Sequence, residues 1–138
     1  MMSSDSNVSR VLKDDGVNVI DLDIFENNTC TSLNAVKEQF GDTAWATRIV
    51  YNDRFGGVLI RQFPGEGNRL HYHSDADECW VILEGEWEWF IEGIGTRIVR
   101  QNDIVLVSKN TKHKITCIGT MPGVRFAITK PDVDHVYG

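Results

Sequence analysis

The chain has 138 residues, of which 41% are hydrophobic and 25% are charged, as is typical of a single soluble globular domain. Its formal net charge of −6 disfavours nucleic acid and anionic membranes as partners, because phosphate recognition needs a surplus of Lys and Arg. No apolar run is long enough for a membrane span, and the acidic start has no signal-peptide core. We therefore expect a cytoplasmic protein whose three cysteines, Cys30, Cys79 and Cys117, are reduced thiols.

The N-terminal part is predicted to be a tail, residues 1–30, followed by one domain over residues 31–138. Within the tail, VNVIDLDIF (17–25) is apolar enough for a strand that lies at the edge of a sheet. Thr31 or Ser32 can cap a short helix that runs through Phe40, and Gly41 is a natural stop.

After this helix the hydrophobic pattern changes to a period of two residues. Short alternating runs are separated by turns rich in Gly, Asn, Asp and Pro, which indicates an all-β sandwich or barrel. The predicted strands are ATRIVY (46–51), VLIRQF (58–63), RLHYH (69–73), CWVILE (79–84), EWEWFIEG (86–93), TRIVR (96–100), DIVLVS (103–108), HKITCI (113–118) and VRFAIT (124–129).

The stretch HYHSDADECW (71–80) concentrates side chains that bind metals. His71 and His73 point to the same side of a strand, because strand side chains alternate. If the following turn reverses the chain, Glu78 faces both histidines, and His113 offers a third imidazole. Two or three imidazoles with a carboxylate suit a divalent transition metal.

The segment from Gly65 to Gly85 resembles the first conserved motif of the cupin family. That motif is a glycine, five residues, His-x-His, three or four residues, Glu, six residues and a glycine. It is filled here by Gly65, His71, His73, Glu78 and Gly85. Residues 102–117 resemble a weakened second motif, in which His113 is kept and four positions are changed: Asn102, Ser108, Asn110 and Cys117. Asn110 can adopt the left-handed backbone conformation of the glycine it replaces.

The resemblance implies a cupin double-stranded β-helix, that is, a jelly-roll barrel. It also implies that His71, His73, Glu78 and His113 bind one divalent transition metal (Fe, Mn, Ni, Cu or Zn). Asp75 and Asp77 are rivals to Glu78, but the motif requires Glu, and aspartates are common in turns. Small cupins usually dimerise, so we expect a homodimer in which residues 17–25 add a strand to the neighbouring copy.

Further residues are candidates for binding a substrate. Trp80, Trp87 and Trp89 are predicted to face inward, either as walls of a pocket or as core. Arg69 has the parity of His71 and His73, so it either faces inward towards an acidic substrate or lies in water at the barrel mouth. Arg61 and Arg125 pose the same question. His135 is expected at the surface, and Cys117 is expected to be a buried thiol.

Three functions are consistent with these residues. The first is a metal-dependent enzyme of the dioxygenase, isomerase, cyclase or lyase type that acts on a small polar or acidic molecule. The second is a metal-containing module that binds or senses a small ligand without turnover. The third, a metal-free cupin of the sugar-nucleotide epimerase kind, is disfavoured by the four intact metal-type ligands. No separate acid–base residue is identified from the sequence, and the step from cupin to a reaction is by analogy.

Overall fold

A computed structural model describes residues 2–4, 17 and 24–137 of the chain. In these residues one helix and eleven strands occur. In chain order they are β1 (Met2–Ser4), α1 (Leu33–Phe40), β2 (Trp45–Tyr51), β3 (Gly56–Gln62), β4 (Gly67–Tyr72), β5 (Glu78–Glu84), β6 (Glu86–Ile91), β7 (Gly95–Arg100), β8 (Ile104–Val107), β9 (His113–Ile118), β10 (Gly123–Thr129) and β11 (Asp134–Tyr137).

The strands form two antiparallel sheets. One sheet has the order β1-β11-β4-β9-β6-β7, and the other has the order β2-β3-β10-β5-β8. The largest hydrophobic cluster draws its residues from β5, β8 and β10 of the second sheet and from β6 and β9 of the first. The core therefore lies between the sheets, and the prediction of an all-β sandwich or barrel with one short helix is confirmed.

Helix α1 begins and ends where the sequence predicts. The Ser32 side chain accepts a hydrogen bond from the Ala35 backbone N–H at 3.0 Å, so Ser32 is the N-cap. Gly41 ends the helix with a φ of 72°. Val36 and Phe40 face the protein and pack in a cluster that includes Trp45 and further strand residues.

Alternation along β6 follows the predicted inner and outer faces. Trp87, Trp89 and Ile91 are buried, whereas Glu88 is exposed and Glu86 is half-buried. Burial of the two indole rings removes a large apolar area from water, which fixes the register of β6 between β7 and β9.

The glycines and asparagines of the two sequence motifs have backbone roles. Gly65 and Gly85 both have positive φ, and a Cβ at Gly85 would lie 2.6 Å from the Gly123 Cα. Asn102 and Asn110 have φ values of 76° and 64°. The left-handed conformation predicted for Asn110 is therefore present, although the glycine of the motif is not.

The two ends of the chain compare with the predicted strand pattern in different ways. The predicted strand and dimer contact at 17–25 lies largely outside the described residues, and only Val17, Ile24 and Phe25 are described. Val17 packs on Ala46 and Ile60 within the same chain. At the other end, strand β11 was not predicted from the sequence, yet it pairs with β4 on one side and β1 on the other.

Candidate metal centre

Three strands bring the four predicted metal ligands together. His71 is on β4, His73 follows directly after it, Glu78 opens β5 and His113 opens β9. One ligand atom from each of these residues lies within 4.8 Å of the others. All four side chains are buried or nearly so, and His71 and His113 are direct partners in the β4–β9 ladder.

Hydrogen bonds orient two of the imidazoles with Nε2 towards the centre. Nδ1 of His71 lies 2.6 Å from the Arg69 carbonyl oxygen, and Nδ1 of His113 lies 3.0 Å from the Thr111 carbonyl oxygen. A carbonyl only accepts, so Nδ1 carries the proton in both rings and Nε2 keeps its lone pair. Nε2 of His113 is buried and has no hydrogen-bond partner within the described part of the chain. These are the properties of a nitrogen that binds a metal.

The protonation states also fit a metal. The pKa of His71 is lowered from 6.5 to about 2, chiefly by burial and secondarily by the neighbouring His113. Burial lowers the pKa of His113 as well. Burial alone would raise the pKa of Glu78, but its charge interaction and hydrogen bond with His73 outweigh this and lower the pKa to about 2. Neutral imidazoles at His71 and His113 beside the ionised Glu78 carboxylate are the forms that metals bind.

The turn between β4 and β5 separates Glu78 from its two acidic neighbours. Oδ1 of Asp77 accepts a hydrogen bond from the Lys109 backbone N–H at 2.8 Å, and Asp75 pairs with Lys130 at 2.7 Å. Both aspartates therefore serve the turn and its surroundings. Glu78, by contrast, places Oε1 at 2.7 Å from Nε2 of His73.

A cavity that opens to solvent adjoins the ligand cluster at His71 and Glu78. Its empty volume is about 620 Å³, counted out to the solvent at its mouth. His71 and Glu78 form part of its wall, so a small molecule in this cavity would meet the ligand cluster. The remaining wall residues are Arg48, Gly56, Gly57, Val58, Ile60, Asn68, Trp80, Ile115, Arg125, Ala127, Thr129, Pro131 and His135.

Arg69 does not face the cavity. On β9, His113 and Ile115 are two residues apart, but their β4 partners, His71 and Asn68, are three apart, which places a β-bulge in β4. The extra residue breaks the parity on which the inward orientation depended. Arg69 is exposed, and its guanidinium lies 4.0 Å from the centroid of the Tyr137 ring.

Asn68 and Arg125 take the inward place predicted as one option for Arg69. Both are buried and line the cavity. Nη2 of Arg125 donates hydrogen bonds to Oδ1 of Asn68 and to Oε1 of Gln62, the latter at 3.0 Å. Arg61 instead points to the loop after α1, where it donates to Asp42 at 2.7 Å.

The three tryptophans divide between cavity and core. Trp80 lines the cavity, and its ring centroid lies 5.4 Å from that of His113. Trp87 and Trp89 are fully buried in the cluster between the sheets, and Nε1 of Trp87 donates to the Glu84 carbonyl oxygen. Cys117 is also buried in this cluster, as predicted.

His135, expected at the surface, is half-buried and lies beside the site. Strand β11 places its ring centroid 4.6 Å from that of His73 and 5.3 Å from that of His71. All four histidines of the chain therefore lie in one cluster. The alternation of His135 and Tyr137 on one side of a short strand was the available indication, but the segment is short and polar.

Comparisons with known proteins agree with this architecture. The two facing antiparallel sheets, with the strand orders given above, form a double-stranded β-helix. Residues 58–129, just over half of the chain, match the Cupin_2 family, described as a cupin domain. The chain belongs to the cupin family.

Individual relatives extend this result. The chain is 35% identical over 57 residues to YdbB, an uncharacterized protein of Bacillus subtilis strain 168; the match covers 41% of this chain and half of YdbB. The solved structure of BH2720 from Bacillus halodurans has 18% identity and a TM-score of 0.65, covering 78% of this chain and 86% of that one. An RmlC-like cupin family protein of Methanocaldococcus jannaschii has 23% identity and a TM-score of 0.59, covering 66% and 83%.

No helix in the described residues has both the length and the apolar character needed to cross a membrane.

Proposed function

We propose that this cupin is a metal-dependent enzyme with a single divalent transition metal, which acts on a small polar or acidic molecule. The observation that carries the proposal is the convergence of His71, His73, Glu78 and His113 within 4.8 Å beside an open cavity. The donor set of three imidazoles and one carboxylate accepts Fe, Mn, Ni, Cu or Zn.

The protein's own residues would hold the ion and shape its surroundings. The Arg69 and Thr111 carbonyls fix the ring orientation of His71 and His113, so Nε2 is ready without a proton having to leave. A divalent ion would supply Lewis-acid chemistry, or dioxygen chemistry if it is redox-active. Trp80 and Ile115 give the adjoining cavity apolar walls that exclude part of the water.

Metal analysis of the purified full chain tests the proposal. The parent should hold close to one transition-metal ion per chain by mass spectrometry, after anaerobic purification or reconstitution. His73→Ala and Glu78→Gln should each lose most of it. Asp77→Asn is the matched control, because Asp77 is the adjacent turn carboxylate and bonds the Lys109 backbone instead. Its metal content should equal that of the parent.

Two results would count against the proposal. A parent that takes up no metal on reconstitution would overturn the metal centre. The second result is a metal-loaded parent that carries a small ligand through purification and converts no small acid, with or without dioxygen. That result would indicate a binding module and not an enzyme. Native mass spectrometry before and after denaturation detects such a ligand.

A further inference from the structure

Strands β3, β4 and β10 build a polar patch in the wall of the cavity. Arg125 is only 1% exposed, yet it lines the cavity. Its Nη2 is held by the side-chain oxygens of Gln62 and Asn68, both of which are neutral amides. The amides orient the guanidinium and carry no charge themselves, and Cζ of Arg125 lies 5.0 Å from the centroid of the Trp87 ring.

Trp80 on β5, the strand next to β10, offers a second hydrogen-bond donor. Arg125 and Ile82 are cross-strand partners in the β10–β5 ladder, as are Ala127 and Trp80. Trp80 is 1% exposed, lines the cavity, and its Nε1–H has no hydrogen-bond partner in the described residues. An indole N–H is only a donor, so an acceptor on a ligand in the cavity would satisfy it.

Small residues also line the cavity. They are Ala127, opposite Trp80, and Gly56 and Gly57 at the start of β3. The charges in the same wall are positive apart from Glu78, and Arg48 is already paired with Glu26 at 2.7 Å. A divalent ion held by Glu78 and neutral histidines would leave the centre with a net positive charge.

We propose that the cavity binds a small organic anion whose carboxylate is held by Arg125, with Trp80 as a second hydrogen-bond donor, and whose other end reaches the four-residue cluster. That the bound anion is a substrate rests on the proposed function, whereas its binding to Arg125 does not. A guanidinium donates charge-assisted hydrogen bonds to a carboxylate, and a neutral amide accepts more weakly.

The experiment compares carboxylates with neutral amides of the same shape. Acetate, pyruvate and benzoate are titrated by calorimetry into the full chain, and acetamide, pyruvamide and benzamide serve as the isosteric neutral probes. Each titration is done on zinc-loaded and on chelator-treated protein. The parent should bind at least one carboxylate about tenfold more tightly than its amide in both states.

Arg125→Met should reduce carboxylate binding to the level of the amide while metal content stays at the parent value. Trp80→Phe should weaken carboxylate binding several-fold, because it removes one donor and keeps an aromatic wall. Arg97→Met is the matched control, since Arg97 is exposed on β7, and it should bind like the parent. If Arg125→Met fails to fold, as judged by circular dichroism, Arg125→Lys decides: it keeps the charge, loses the planar fork, and should weaken binding.

Several outcomes would overturn the inference. These are no measurable binding of any carboxylate at millimolar concentration, equal binding of acids and amides, or parent-like binding by Arg125→Met. A carboxylate preference that disappears with the metal and is insensitive to Arg125 would assign the anion to the ion alone. Conversely, a parent that takes up no metal but keeps an Arg125-dependent preference would overturn the proposed function and leave this anion site standing.

Discussion

Nε2 of His73 and Oε1 of Glu78 lie 2.7 Å apart across the turn that joins β4 to β5. In the chain without metal this contact is what holds the carboxylate ionised in a buried place, since it outweighs the cost of burial. The same arrangement makes the ligand cluster sensitive to acid.

We expect the metal-free protein to lose stability as the pH falls below 6.5. Native His71 resists protonation down to about pH 2, whereas the imidazole in the unfolded chain takes up a proton near its ordinary pKa of 6.5. The unfolded state therefore binds more protons, at a cost of up to about 1.4 kcal/mol per pH unit for each such histidine. His113 acts in the same direction.

Glu78 extends the loss to lower pH. Its native pKa is about 2 against an ordinary 4.5, so stability present above pH 4.5 is lost as the pH falls through that window. Urea unfolding of chelator-treated protein at a series of pH values measures the slope. His71→Gln should flatten the profile below pH 6.5, and identical slopes in parent and variant would contradict the assignment.

Gly67→Ala should destabilise the protein strongly. A Cβ at this position would lie 1.8 Å from the Ile115 carbonyl oxygen, so β4 and β9 would have to move apart. We expect a loss of about 3 kcal/mol or more, or failure to fold. The change also separates the strands that carry His71 and His113, so metal content should fall with stability.

Gly93→Ala is the control for that substitution. Gly93 has a φ of 83°, but nothing lies within 4 Å of the added carbon. Only the left-handed strain applies, at about 1–2 kcal/mol. Thermal unfolding of both variants gives the comparison, and equal losses would show that the close approach at Gly67 is not the cause.

His135→Ala should leave the metal content near that of the parent but speed the loss of metal to a chelator. The His135 ring covers His71 and His73 from β11, and it is not one of the four clustered ligands. Removing the ring opens a path to the ligands, so we expect the metal to be released several-fold faster. The release is measured from the absorbance of the metal–chelator complex. Tyr137→Phe keeps its ring and should release metal at the parent rate. A His135→Ala variant with no metal would instead make His135 a ligand.

The three thiols should react with Ellman's reagent in order of exposure. Cys30 is exposed, Cys79 is intermediate and Cys117 is buried. Burial also raises the pKa of the Cys117 thiol, which lowers its thiolate fraction further. Native protein should show one fast thiol, at Cys30, and full reaction only in denaturant. Cys30→Ser should remove the fast phase, and a fast phase that persists would contradict the order.

Much of the fold and of the ligand cluster was predictable because local patterns specify them. Ser32 and Gly41 bound the helix, alternation in β6 separates Trp89 from Glu88, and the motif's requirement for Glu selects Glu78 over Asp77. Each of these depends on neighbours in the sequence. The cupin assignment followed from the same spacing and is confirmed by the family match.

The orientation of Arg69 and the position of His135 depend on pairing between distant strands. The bulge that turns Arg69 outward exists only in the register of β4 with β9, some 45 residues further along the chain. Strand β11 is short and polar, and it is defined by the edge of β4 that it covers. The local alternation of side chains does not determine either strand register, so neither position could be predicted from the sequence.

Glu78 belongs to one sheet, whereas His71 and His113 belong to the other. A bound ion would therefore bridge the two sheets, and the distance between its ligands depends on the side chains packed between the sheets. Trp80 and Ile115 are two of these side chains. Substitutions that make this packed layer thinner or thicker, without changing any ligand, are expected to alter which ion radius fits best.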